Sequence, residues 1–182
     1  HTRFRNVTGV QTCALPILPE TGFLVLDDCG LLRITGADAQ AFLQGQVSCD
    51  VAALPPERAT YGSYNSPKGR MLATFLLWRD ASGFLMQLPR SLCEPIAKRL
   101  RMFVLRSQVE IADVSAQHVV FGVLQQAGSS ENPLLARAPG EPLARAASSD
   151  AALLRLDAHR LEVICPQDRA TAVQAALAAT LP

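Results

Sequence analysis

From Phe23 onward, short apolar runs alternate with tight polar turns, and the hydrophobic period changes in a readable order. "GLLRITG" (Gly30–Gly36) is rich in apolar and β-branched residues, closes on glycine, and predicts a strand. "ADAQAFLQGQ" places Ala39, Phe42 and Leu43 on one face at helical spacing, with Gly45 near its end, and predicts a short helix. "ALPPER" breaks the chain. Two strands are expected around Thr60–Asn65 and Arg70–Arg79, joined by a Ser-Pro-Lys-Gly turn. "DASG" then turns the chain into a third, "FLMQL". Three strands linked by tight turns make an antiparallel meander.

"SLCEPIAKRLRMFVLRS" reads as a helix. Ser91 and Glu94 have the spacing of a capping box, and Pro95 then falls in the first turn, where it is tolerated. Cys93, Ile96, Ala97, Leu100, Phe103 and Val104 form its apolar face, and Lys98, Arg99, Arg101 and Arg106 the opposite one. "QVEIADV" follows as a strand. A second pattern begins at "VVFGVLQ". After a loop over 128–142, "ALLRL" and "RLEVIC" predict a hairpin across Asp157–His159, and "DRATAVQAALAATL" an alanine-rich helix. The expected fold class is α+β, with antiparallel sheets and helices packed on one face.

A chain of 182 residues, 49% hydrophobic, is one large or two small domains with a real core. No apolar run reaches the roughly 18 residues of a membrane span. Five scattered cysteines without a C-x-x-C pair fit reduced thiols in a cytoplasmic protein and give no metal site.

Residues 1–17 stand apart. "VTGVQTCALPI" has polar residues inside its apolar stretch and no convincing cleavage site for a leader. The string is similar to the translation of a common sequencing-adapter oligonucleotide, so 1–17 is expected to be non-native. Two modules then follow, 18–116 and an incomplete 117–182. Without Arg3 and Arg5 the net charge changes from +1 to −1, with 15 basic against 16 acidic residues. That balance argues against direct nucleic-acid binding.

Four features carry candidate chemistry. In "YNSPKGRML" Pro67 presets a β-turn and Gly69 relieves its exit, which puts Lys68 at the tip and Arg70 at the next strand's start. The pair is either a solvated hairpin tip or two cations for an anionic ligand. In "LQGQVSCD", Gln44, Gln46, Ser48 and Asp50 either cap a loop or read the edge of a heterocycle. The basic helix face near Arg99 is a solvated face or a docking surface. Cys29 and Cys49 read as small hydrophobes or as reactive thiols, and Trp78 reads as core.

Taken together, "LDDCGLLRITGADAQAFLQGQVSCDV", "NSPKGRMLATFLLWRD" and "VLRSQVEIADVS" resemble the YgfZ folate-binding family, a relative of the glycine-cleavage T-protein, from about Leu24 to Val123. The resemblance implies a T-protein-like folate-binding fold, with tetrahydrofolate or a derivative as cofactor. It also implies an accessory role toward iron–sulfur enzymes or assembly proteins and, through them, tRNA modification. The implied folate-binding set is Cys29, Gln46, Asp50, Asn65, Lys68 and Arg70, with no catalytic and no metal-ligating residue. Where the family places an aromatic after its Asp-Asp pair, this chain has Cys29. The family's K-G-C-x-x-G-Q motif lies further along than Pro182, so the chain reads as a fragment cut at both ends. Aminomethyltransferases carry an acidic pair just after the hairpin turn, and Leu72 and Ala73 stand there instead, which argues against transferase chemistry. A plain protein-interaction module is the third class considered.

Overall fold

A computed structural model describes residues 21–125, 132–148 and 150–181. The expected adapter-like segment 1–17, with Cys13, and part of the 128–142 loop lie outside these residues. The strands are β1 Gly22–Val25, β2 Cys29–Thr35, β3 Ala59–Asn65, β4 Met71–Asp80, β5 Gly83–Pro89, β6 Glu110–Asp113, β7 His118–Leu124, β8 Arg145–Ala147, β9 Ala152–Arg155 and β10 Arg160–Pro166. The helices are α1 Ala39–Gln44, α2 Arg90–Arg101 and α3 Ala170–Ala178. All strand pairs are antiparallel, in two five-stranded sheets of order β3-β4-β5-β2-β6 and β1-β7-β10-β9-β8. The class is α+β, as the sequence pattern predicts, and β3-β4-β5 is the expected meander.

Strict alternation along the strands builds four layers. Leu32, Ile34, Phe75, Leu77, Phe84 and Met86 of the first sheet point to one side, where α1 and α2 cover them with Phe42, Leu43, Ile96 and Leu100. Their neighbours Leu31, Leu76, Trp78 and Leu85 point the other way, against Val120, Leu154 and Ile164 of the second sheet. The far face of that sheet, with Phe121, Leu153, Leu161 and Val163, is sealed by Val173 and Leu177 of α3.

Three local features depart from the sequence pattern. Helix α2 begins at Arg90 with Pro89 as its N-cap, a residue whose ring offers no side-chain cap bond, and Arg90 N–H donates to Asp28 O at 2.7 Å. The Ser91/Glu94 capping box is therefore not formed, and Pro95 sits inside the helix. It withholds the N–H that Ser91's carbonyl would otherwise accept. The helix ends at Arg101, so Phe103 leaves the apolar stripe and is exposed. Arg101 is not a freely solvated cation either, since its Nε and Nη2 donate to Ile111 O of β6 at 3.0 and 2.8 Å. Strands β1 and β8 are not among the expected elements, and β1 crosses over to pair with β7 of the second sheet. The sheets are also laced at one edge, where Ala59 N–H donates to Leu143 O and Arg145 N–H to Glu57 O.

Among the described residues, no helix is long and apolar enough to cross a membrane. The four described cysteines are free thiols, with Cys93 and Cys165 buried.

Candidate functional site: a cavity between the two sheets

The inter-sheet layer is apolar in its middle and polar at its ends. At the end where β2 begins and β5 finishes, Cys29, Tyr61, Thr74, Gln87, Leu156 and Glu162 line a cavity of 260 Å³. Cys29 is held there by a turn, its N–H donating to Leu26 O at 3.2 Å, and by pairing with Pro89 of β5. The next residue has to be glycine. A Cβ at Gly30 would collide with Cys93 Sγ and stand 3.0 Å from both Arg90 Cα and Ser115 Oγ.

Gln87 and Glu162 are the chemical centre. Each lies within an apolar strand run, yet alternation turns both into the inter-sheet space, where Glu162 is 6% and Gln87 8% exposed. Gln87 Nε2 donates to Glu162 Oε1 at 3.1 Å and lies 3.6 Å from Cys29 Sγ. The amide's donor side is thus committed. Gln87 Oε1 and Glu162 Oε2 are left buried without a partner. Two orphaned acceptors in one small cavity are costly unless a ligand's donors, or water, meet them.

The electrostatics follow from burial. Burial pushes the Glu162 pKa up, and the bond from Gln87 and the charge of Arg160 pull it part of the way back. Cys29 is also raised, first by burial and then by the nearby charges of Glu162 and Asp28. It is therefore a thiol rather than a thiolate, and a poor nucleophile. Tyr61 at the rim is raised, again chiefly by burial.

The other expected site residues gather elsewhere on the same sheet. The segment after α1 bridges to β3 through Val47 and Tyr64 and through Ser48 N–H donating to Ser63 O, which brings Gln46 and Asp50 near the β3 end that carries Asn65. Asp50 Oδ1 accepts from Ala53 N–H at 3.2 Å, and Gln44 Oε1 accepts from Val51 and Ala52, both loop-capping bonds. The hairpin tip is closed by Ser66 N–H donating to Arg70 O and Gly69 N–H to Ser66 O, with Gly69 at φ +77°. Lys68 and Arg70 are exposed there, in no ion pair among the described residues. Of the six expected residues, only Cys29 lines the cavity. Cys29 also forms part of the wall of a larger open cleft of 680 Å³, with Asp27, Arg90, His118 and Gln174. Leu72 and Ala73 pack against the core cluster that the helices cover, and neither lines the cavity.

Gln87 and Glu162 are absent from the candidates that sequence reasoning put forward. The only local trace of them is a polar residue inside an apolar run, in "FLMQL" and in "RLEVIC", and which face it takes depends on how the two sheets pack.

No family model matches the chain. It is 34% identical over 110 residues to the tRNA-modifying protein YgfZ of Vibrio vulnificus (strain YJ016), covering 59% of this chain and 34% of that protein. It is 36% identical over 113 residues to the tRNA-modifying protein YgfZ of Shigella sonnei (strain Ss046), covering 62% and 34%. The chain spans about a third of the length of these curated relatives. Among solved structures it resembles the glycine cleavage system aminomethyltransferase T from Bartonella henselae, at TM-score 0.72 and 17% identity, over 86% of this chain and 45% of that one. It also resembles a heterotetrameric sarcosine oxidase from Corynebacterium sp. U-96, at TM-score 0.56 and 12% identity, over 86% and 81%. The resemblance to YgfZ proteins holds, and the fold is of the aminomethyltransferase T type.

Proposed function

We propose that this chain is a folate-binding module of the YgfZ kind, which takes the pterin ring of a tetrahydrofolate into the cavity at Cys29, Gln87 and Glu162. The observation that carries the reading is the pair of orphaned acceptors, Gln87 Oε1 and Glu162 Oε2. A pterin offers a ring N–H beside an exocyclic amino group, a donor edge that suits a carboxylate and an amide oxygen. Leu76 and Leu156 supply apolar walls, and Tyr61 a ring at the rim. A volume of 260 Å³ suits the bicyclic head and leaves the tail outside.

In this reading Lys68 and Arg70 meet the tail. Thr74 lines the cavity, and four residues of strand, about 13 Å, separate it from Arg70. The glutamates of a folate tail are anionic and would find a point charge and a planar fork at that distance. Gln46, Asp50 and Asn65 would flank the path. The finer part of the proposal is that the folate-loaded protein serves iron–sulfur enzymes or their assembly proteins and so supports tRNA modification in the cytoplasm, without itself touching RNA.

An aminomethyltransferase is the second reading, favoured by the fold alone. Leu72 and Ala73, where such enzymes carry an acidic pair, supply no group to accept or hold a proton.

The deciding experiment is thermal unfolding with and without 5-formyl-tetrahydrofolate. A melting temperature that rises with ligand concentration supports the proposal, and an unchanged one overturns it. Glu162→Ala should remove the rise while Leu72→Ala keeps it.

A further inference from the structure

The opposite end of the inter-sheet layer holds a second polar cavity of reversed character. Two residues along β5 from Gln87, and two along β10 from Glu162, alternation brings Leu85 and Ile164 into the same layer. Beyond them, near the β4–β5 turn, a cavity of 240 Å³ is lined by Arg33, Trp78, Asp80, His118, Arg145 and Ser148, among others. The orphaned atoms here are donors. Trp78 is 1% exposed, and its Nε1–H has no acceptor. Arg145 Nε is likewise buried and unpartnered.

Two guanidiniums, Arg33 and Arg145, and two carboxylates, Asp80 and Asp150, line this cavity, and Asp150 pairs with Arg169 outside it at 3.7 Å. Arg33 Nη1 donates to both oxygens of Asp80 at 3.1 Å, so that cation and that carboxylate are spent on each other. Asp80 Oδ1 also accepts from Ser82 N–H. Arg145 has no carboxylate within ion-pair distance among the described residues. Its Nη1 is committed to Pro56 O at 3.1 Å, and its own N–H to Glu57 O at 2.6 Å. The guanidinium is thereby anchored with its Nε edge left over, and that edge can present a fork to two oxygens. Burial pulls the Arg145 pKa down, against the opposing pull of Asp80 and Glu57.

An unpaired guanidinium Nε and an unpaired indole N–H, on two residues that line one cavity, call for a ligand that is only an acceptor and carries negative charge. We propose that this cavity binds a small oxyanion, held by the Nε edge of Arg145 and the indole N–H of Trp78. A carboxylate or a phosphate meets that description, and neutral donors do not. The assignment does not rest on the folate reading, because Trp78, Leu85 and Ile164 separate the two cavities and no orphaned atom is shared.

Trp78 is the single tryptophan of the chain, so its emission reports the site directly. The test titrates the whole folate-free chain with sodium phosphate in one arm and sodium malonate in the other, at ionic strength fixed with sodium chloride. Tryptophan emission and melting temperature are both followed. A saturable emission change and a rise in melting temperature in either arm support the proposal, and the stronger arm tells whether a phosphate or a carboxylate is the natural partner. Arg145→Gln should weaken binding about tenfold or more, the loss expected when a charge-assisted bond is removed. Arg145→Lys should fall between, since it keeps the charge without the fork. Should Arg145→Gln fail to fold, Trp78→Phe removes the N–H together with part of the ring, and the rise in its melting temperature with the same anion, measured from its own anion-free value, should be smaller. No response beyond that to chloride in either arm overturns the proposal, as does a response that the Arg145 variants leave unchanged.

Discussion

The two ends of the inter-sheet layer share strands β2, β4, β5 and β10 and differ in the sign of the polar atoms they leave unmet. At one end Gln87 and Glu162 leave two acceptors unmet, and at the other Trp78 and Arg145 leave two donors unmet. Between them Leu31, Leu76, Leu85, Leu154 and Ile164 form an apolar bulkhead, closed by the body of Trp78. A shift of two residues along β5 or β10 is enough to pass from one chemistry to the bulkhead. A face-to-face pair of sheets can thus carry two unlike binding chemistries within one hydrophobic layer, because alternation keeps each polar side chain in the layer and the neighbouring pair keeps it isolated.

The most damaging way to break this comparison is to breach the bulkhead. Leu154→Ala removes a fully buried side chain facing the first sheet and should cost about 2–5 kcal/mol in urea unfolding. A loss well under 1 kcal/mol would show that the layer closes by repacking and does not partition the two ends.

A smaller change sharpens the acceptor end alone. Gly30→Ala forces a methyl group into Cys93, Arg90 and Ser115 and should cost about 1–3 kcal/mol. Because the strain falls beside Cys29, folate protection should weaken while the oxyanion response at Trp78 persists. Equal loss of both would mean that the two ends are coupled.

Glu162 gives the comparison a pH axis. Its pKa in the fold lies above its ordinary 4.5. The native state therefore keeps the proton to higher pH than the unfolded chain does. Stability from this group is full below the unfolded pKa and is lost as pH rises through the folded one. Glu162→Gln removes that loss, so the variant should gain on the parent steadily as pH rises from about 4.5 in denaturant titrations. A difference that stays constant with pH would mean that the carboxylate ionises as easily folded as unfolded.

The smallest effect on stability belongs to the hairpin tip. Lys68→Ala and Arg70→Ala should each change unfolding free energy by less than about 0.5 kcal/mol, as exposed substitutions do. Both should weaken a polyglutamylated folate more than its monoglutamate. Equal weakening of the two ligands would remove these cations from the tail's path.

Most strands and the α2 and α3 helices were legible because each carries its own period, from "GLLRIT" to "RLEVIC". Strand β8 was not, since Arg145-Ala146-Ala147 has no strand propensity and is held by backbone bonds to β9 and to Glu57. The start of α2 was misplaced because Ser91 and Glu94 have the spacing of a cap, whereas a distant carbonyl, Asp28 O, already receives the first free amide. Of the site, Cys29 was found through resemblance. Gln87 and Glu162 stayed hidden because their meaning depends on which sheet faces which, and no local pattern encodes that.

Strand β1 has a consequence for how the protein is made. Its partner β7 lies about a hundred residues further along, with the whole first sheet between them. At synthesis rates of about 5–20 residues per second, Gly22–Val25 would wait roughly 5–20 s outside the ribosome for its partner. During that wait, Leu24 and Val25 belong to a bare strand edge. The nascent chain is therefore most open to misassembly before β7 emerges, and a holdase that covers β1 would raise the folded yield more than one acting after release.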